Sequence, residues 1–127
     1  MQVKDCQKAN EIISFHLEDG ILHGTYLVQK INLGAAINAT SFKKEITMGK
    51  PYPALADISR VKDMSKEARA FFSQDAGEDL LALAVIVNNP VTRMLTNFFL
   101  QFNKPVYPFR IFTDRKEAIC WLKNYQH

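Results

Sequence analysis

Apolar and polar residues alternate from Ile13 to Tyr26 around a central Asp19-Gly20. Alternation is the period of a half-covered strand, and Asp-Gly between two such runs predicts a two-residue type I′ turn. That turn sets the register: Glu18 opposite Ile21, Leu17 opposite Leu22, His16 opposite His23. One face of the hairpin then carries Ile13, Phe15, Leu17, Leu22 and Tyr26 and is expected to meet a core. The other carries Ser14, His16, Glu18, His23 and Thr25 and is expected to face solvent.

Val28 to Lys30 leads out of the hairpin. A helix is expected to start near Asn32, with Leu33, Ala36, Ile37 and Thr40 on one side. Gly34 weakens it, and Met48-Gly49 ends it. Pro51 and Pro53 then admit an extended segment, Tyr52 to Ile58. Its run Ala54, Leu55, Ala56, Ile58 lacks alternation, as in a strand covered on both faces. Ser65 reads as the N-cap of a helix carrying Ala68, Phe71, Phe72 and Ala76 at helical spacing. Leu81 to Val87 is the most apolar stretch and predicts a central buried strand. Asn89 is placed to cap a further helix, with Pro90 at its first position and an end near Phe102. Phe109 to Phe112 predicts a last strand. Asp114 with Glu117 resembles a capping box, opening a final helix with Ala118, Trp121, Leu122 and Tyr125 inward. The order is β-β-α-β-α-β-α-β-α. It predicts an α/β fold: a mostly parallel sheet flanked by helices on both faces, with the opening β-hairpin as an antiparallel edge.

The stretch Ala54 to Phe72 holds the first candidate site. Ligands of open α/β sheets gather outside the carboxyl ends of strands, which directs attention to Asp57 to Lys66. The structural alternative is that Asp57, Ser59 and Ser65 only satisfy backbone groups of a turn.

Composition narrows the classes. A chain of 127 residues is the size of a single domain, 1–127, with room for a core. The net charge of +3 is mild, and the only adjacent cationic pairs are Lys43-Lys44 and Arg115-Lys116, so no clustered nucleic-acid-binding face is legible. Cys6 and Cys120 form no CxxC and no disulfide framework, which fits a reducing cytoplasm. Cys120 is expected to be a buried small hydrophobe. The N-terminus is polar and gives no signal peptide, and no apolar run reaches the ~20 residues that span a bilayer.

Other chemistry is sparse. His16 and His23 are expected to be cross-strand neighbours with Glu18 diagonal to His23, but no third ligand is specified and no metal is assigned. No Ser/His/Asp or Cys/His set has a legible context, and Asp63, which would pair with Asp57, reads as a solvated loop charge. Gly49-Lys50-Pro51 lacks the upstream glycines of a phosphate loop, and no cofactor is implied. Phe98, Phe99 and Phe102 have two readings. They pack inward as core, or one ring joins Met94 and Leu100 in a partner surface or the wall of an apolar pocket. The aromatic content also fits a homodimer.

The motif Asp57-Ile58-Ser59-Arg60-Val61 after a buried strand resembles the signature of STAS domains, the SpoIIAA-like family that includes anti-sigma-factor antagonists. Over nearly its whole length the chain resembles a small bacterial subgroup described as STAS/SEC14-like. The residues carrying this are Glu18-Asp19-Gly20-Ile21, Tyr52 to Ser59, Lys66-Glu67-Ala68-Arg69, Asn97-Phe98-Phe99, Phe112-Thr113-Asp114 and Trp121-Leu122-Lys123. The resemblance implies a SpoIIAA-like fold and a regulatory role. It departs at the phospho-switch: the antagonists' switch serine falls on Lys66, Ser65 stands at the preceding aspartate, and no glycine follows. A phosphate on Ser65 would still sit at a helix N-terminus.

The expectation is a non-enzymatic module in the bacterial cytoplasm. It would bind a protein partner through Asp57, Ser59, Arg60, Ser65, Lys66 and Arg69. The alternative is a carrier or sensor of a small apolar, lipid-like ligand, lined partly by Met94, Phe98, Phe99 and Phe102.

Overall fold

The structure is a computed structural model that describes residues 7–74, 79–90, 92–94 and 105–126. Strands β1 (Gln7–Ala9), β2 (Ile13–Glu18) and β3 (Ile21–Tyr26) lead to a short β4 (Lys30–Ile31) and helix α1 (Leu33–Thr47). Then come β5 (Tyr52–Asp57), β6 (Asp63–Met64), α2 (Lys66–Gln74), β7 (Leu80–Ile86), β8 (Phe109–Phe112) and α3 (Arg115–Leu122).

Six strands form one sheet in the order β1-β2-β3-β5-β7-β8. β1, β2 and β3 pair antiparallel; β3, β5, β7 and β8 pair parallel. The hairpin has the expected register, with His16 opposite His23 and Glu18 opposite Ile21. Its turn holds Asp19 at φ 51° and Gly20 at φ 78°, the two left-handed positions of a type I′ turn. Pro53 lies inside β5, where it cannot donate to the ladder, and the pairing with β7 shifts register between Tyr52 and Pro53.

Local capping works as the residue types dictate. Asn32 accepts from Ala35 N at 2.8 Å, Ser65 Oγ from Ala68 N at 3.1 Å, and Asp114 from Lys116 N at 2.9 Å. Asn89 accepts from Thr92 N at 2.9 Å and so opens the expected further helix. That helix is described as far as residue 94. Ala76, Phe98, Phe99, Leu100, Phe102 and Cys6 lie outside the described residues. Met94 is exposed.

Both faces of the sheet are covered. On one face α1 and α2 pack Ala36, Ala39, Ile46 and Ala68 over Phe15, Leu22, Ala54 and Val85. On the other, α3 sets Ala118 and Leu122 against Leu55, Ala82, Ala84 and Ile86. Three of these are fully buried alanines, and their small side chains let α3 approach the strands closely. Leu55 and Leu122 contribute on the order of 2 kcal/mol each by leaving water. Among the described residues no helix is long and apolar enough to cross a membrane.

Several expectations need correction. His23 is buried, 6% exposed, because β3 is an interior strand and the His16 ring and the Arg115 side chain lie against its imidazole. Leu33 and Ile37 are exposed; the buried line of α1 is Ala36, Ala39, Lys43 and Ile46. A lysine on that line disguised it. Cys120 is exposed, since Ala118 and Leu122 define the inward side of α3 and Cys120 points away. The polar strand β1 was not foreseen, because an edge strand without apolar alternation carries no periodic signal. Nor was the two-stranded pairing of β4 with β6.

Candidate functional site

The loop from Ile58 to Ser65 connects β5 to α2 and has two sides. Ile58 and Val61 are buried, while Arg60, Lys62 and Asp63 are exposed. Backbone bonds tie the loop down: Lys62 N donates to Gln29 O at 2.7 Å, Asp63 N to Gln29 O at 3.1 Å, and Ser65 N to Ile31 O at 2.9 Å. With the β4–β6 pairing these make a strap across the end of the sheet.

Asp57 begins the strap. Its Oδ1 accepts from Ser59 N at 3.0 Å and from Ser59 Oγ, an Asx-type turn. Its Oδ2 accepts from Arg115 Nη2 at 3.2 Å. Ser59 O in turn accepts from Asn89 Nδ2 at 3.0 Å. Three strand ends, those of β5, β7 and β8, are joined by these side chains. Asp57 and Ser59 thus have structural partners, and Asp57 pairs with Arg115.

Arg115 Nη1 also lies 3.2 Å from His23 Nδ1. His23 stacks on His16 with ring centroids 4.5 Å apart, and His16 Nε2 lies 3.5 Å from Glu18 Oε1. Burial first, then the neighbouring His16 and Arg115, lower the His23 pKa to about 4. The ring is therefore neutral at pH 7. Among the described residues no group of three or more His, Cys, Asp or Glu is arranged to hold a metal ion.

A cavity of about 130 Å³ lies between the sheet and the two helices above it. Phe15, Leu22, Ala54 and Val85 form part of its floor. Ala39, Lys43, Arg69 and Phe72 line it from α1 and α2. The inner side of the strap, Ile58, Val61 and Met64, closes one end. Gly24 admits the Phe15 ring: a Cβ at Gly24 would stand 2.8 Å from Phe15 Cε1. The lining is apolar almost throughout. Tyr107 donates from its hydroxyl to Phe72 O at 2.9 Å. Burial raises both the Tyr26 and Tyr107 phenols well above their usual range, so neither ionises at neutral pH.

The expected partner residues therefore divide. Arg60 and Lys66 are exposed, Ser65 caps α2, Asp57 and Ser59 brace the turn, and Arg69 lines the cavity. Lys43, His23 and Arg115 were missed as site residues. A signal for Lys43 existed: it sits at helical spacing with Ala36, Ala39 and Ile46.

A family profile described as a domain of unknown function, DUF7793, matches residues 15–126. No curated protein matches the chain. Among solved structures the chain resembles an uncharacterised DUF3478-family protein with a SpoIIAA-like fold from Shewanella loihica PV-4. Their TM-score is 0.61 and their identity 19%, over 91% of this chain and 98% of that one. The fold is accordingly SpoIIAA-like. A protein with unknown function from Arthrobacter sp. FB24 is 31% identical over 83% of this chain and 93% of that one, with a TM-score of 0.32.

Proposed function

The chain belongs to the DUF7793 family, and from that premise we propose that it is a non-enzymatic sensor of a small apolar ligand. The observation that carries this is the apolar cavity between the sheet and α1/α2. Well-packed cores leave few voids larger than a water molecule. At about 130 Å³ this one compares with the ~150 Å³ engineered cavities that stay dry and bind benzene. An occupant of that size is far smaller than a membrane lipid.

A sensor needs an output as well as an input. The strap supports a regulatory, partner-binding output: Ile58, Val61 and Met64 touch the cavity while Arg60, Lys62 and Lys66 face outward. A ligand that prefers the closed strap stabilises one arrangement of that outer surface.

The test uses benzene as a neutral probe in methyl-resolved NMR. Shifts at Leu22, Val61, Val85 and Ala39, lost in an Ala39→Leu variant that fills the space, are the expected result. Amide exchange at Lys62, Asp63 and Ser65 should slow when the probe is bound. No response at the lining methyls would remove the ligand reading.

A further inference from the structure

We infer that the ligand of the cavity is a small neutral molecule with one hydrogen-bond acceptor on an otherwise apolar body, of the ketone class, and that the Tyr26 hydroxyl donates to it. The inference rests on the sensor reading and names the ligand class for the same site.

An unpartnered donor carries it. Tyr26 stands at the end of β3, lines the cavity and is 8% exposed. Among the described residues its hydroxyl makes no hydrogen bond. Buried hydroxyls are nearly always bonded, because an unmade bond leaves their desolvation uncompensated. Tyr107 is the contrast within the same wall: it also lines the cavity, and its hydroxyl donates to Phe72 O at 2.9 Å. Phe72 connects the two tyrosines, since the Tyr26 ring meets the Phe72 ring edge-on with centroids 6.4 Å apart. That contact holds the Tyr26 ring in place before any ligand arrives.

The wall selects the partner of this donor. Burial keeps the proton on the Tyr26 oxygen at neutral pH, so the group has an O–H to give. Most of the remaining lining, including Ile13, Phe15, Leu22 and Val85, has no polar side-chain atom. Lys43 and Arg69, which also line the cavity, are engaged in interactions of their own. A second polar group on the ligand would therefore be stripped of water without a replacement bond. A buried water is a poorer occupant than a ketone, because it ordinarily makes about three hydrogen bonds and an apolar wall does not supply them. A pure hydrocarbon would fill the space and leave the hydroxyl as it is.

The probes are cyclopentanone and methylenecyclopentane. Each has as many heavy atoms as benzene, and they differ only in C=O against C=CH2. The full chain is titrated with both, read at the methyls of Leu22, Val61, Val85 and Ala39, and the carbonyl stretch of bound cyclopentanone is recorded by infrared difference spectroscopy. The stretch is expected below its frequency in a hydrocarbon solvent, and Tyr26→Phe is expected to abolish that shift. The same variant should weaken cyclopentanone about three- to tenfold and leave methylenecyclopentane within about twofold. Without ligand, Tyr26→Phe should unfold at a urea concentration no lower than wild type, since it removes a hydroxyl that bonds to nothing. A clear destabilisation, or a variant that does not fold, would show a bond to protein or water already in place and overturn the inference. A hydrocarbon-like stretch in the wild type, or an unchanged affinity ratio in the variant, would overturn it too while leaving the sensor reading standing. So would binding of methylenecyclopentane without binding of cyclopentanone. Failure of both probes, and of benzene, to perturb the lining methyls would overturn both readings.

Discussion

Arg115 at the start of α3 reaches Asp57 at the end of β5, with Nη2 and Oδ2 3.2 Å apart. The contact spans 58 positions of sequence and fastens the final helix to the turn that begins the strap. Asp57 also accepts two bonds from Ser59. Arg115 is two-fifths exposed, so its charge is screened, and the ion pair itself is worth at most about 1 kcal/mol. Asp57→Ala should therefore cost more than Arg115→Met: about 1–3 kcal/mol against less than about 1 kcal/mol. Urea midpoints for the two variants check this, and equal costs would show that the turn bonds contribute nothing.

His23 should make the fold acid-sensitive. Its pKa falls from 6.5 to about 4 on folding, so the unfolded chain binds the extra proton more readily. Stability is then full above pH 6.5, declines as pH falls through the window, and levels off below pH 4. The total loss is at most about 3 kcal/mol. Urea unfolding across that range should show a shallower pH slope for His23→Gln than for wild type. Identical slopes would assign the sensitivity elsewhere.

Ser65 is a helix cap before it is anything else. Ser65→Ala removes the acceptor for Ala68 N and should cost about 1 kcal/mol. Ser65→Asp should stay within about 0.5 kcal/mol of wild type, since aspartate caps equally well and suits the positive end of the helix. Thermal unfolding of both variants separates the two effects.

Gly24→Ala should disturb the cavity as well as the fold. The added methyl would stand 2.8 Å from Phe15 Cε1 and 3.4 Å from Ile13 Cδ1. Both residues line the cavity, so they have room to yield into it. A loss of about 1 kcal/mol or more is expected, together with a weaker methyl response to benzene. An unchanged response would mean that the ring moves away from the void.

Cys120 should react readily in the native state. Its side chain is exposed, so in a Cys6→Ser background a thiol reagent should label it at nearly the rate seen in urea. Strong protection would contradict the outward orientation of that face of α3.

Much of the architecture was legible from short-range chemistry. Asp19-Gly20 specified a turn, and the turn specified the hairpin register. Asn32, Ser65, Asn89 and Asp114 marked helix starts because their short side chains accept from free backbone donors nearby. The unbroken apolar runs of β5 and β7 announced strands covered on both faces. Each of these signals acts within a few residues, so the chain alone determines it.

The site was different. Nothing near His23 in sequence says that Arg115 will cover it, and its alternation reads as a wet strand face. Lys43 looked like one of a pair of surface charges, and Arg69 like a partner-facing cation. Only the stacking of α1 and α2 over the sheet turned both toward one cavity. Periodicity records which residues share a face. It does not record what packs on that face or how well the volumes match, because those depend on elements brought together from distant parts of the chain. The hairpin, the caps and the alternation of strands and helices along the chain were written locally; the order of strands in the sheet, the buried histidine, the strap and the apolar cavity were decided by tertiary packing.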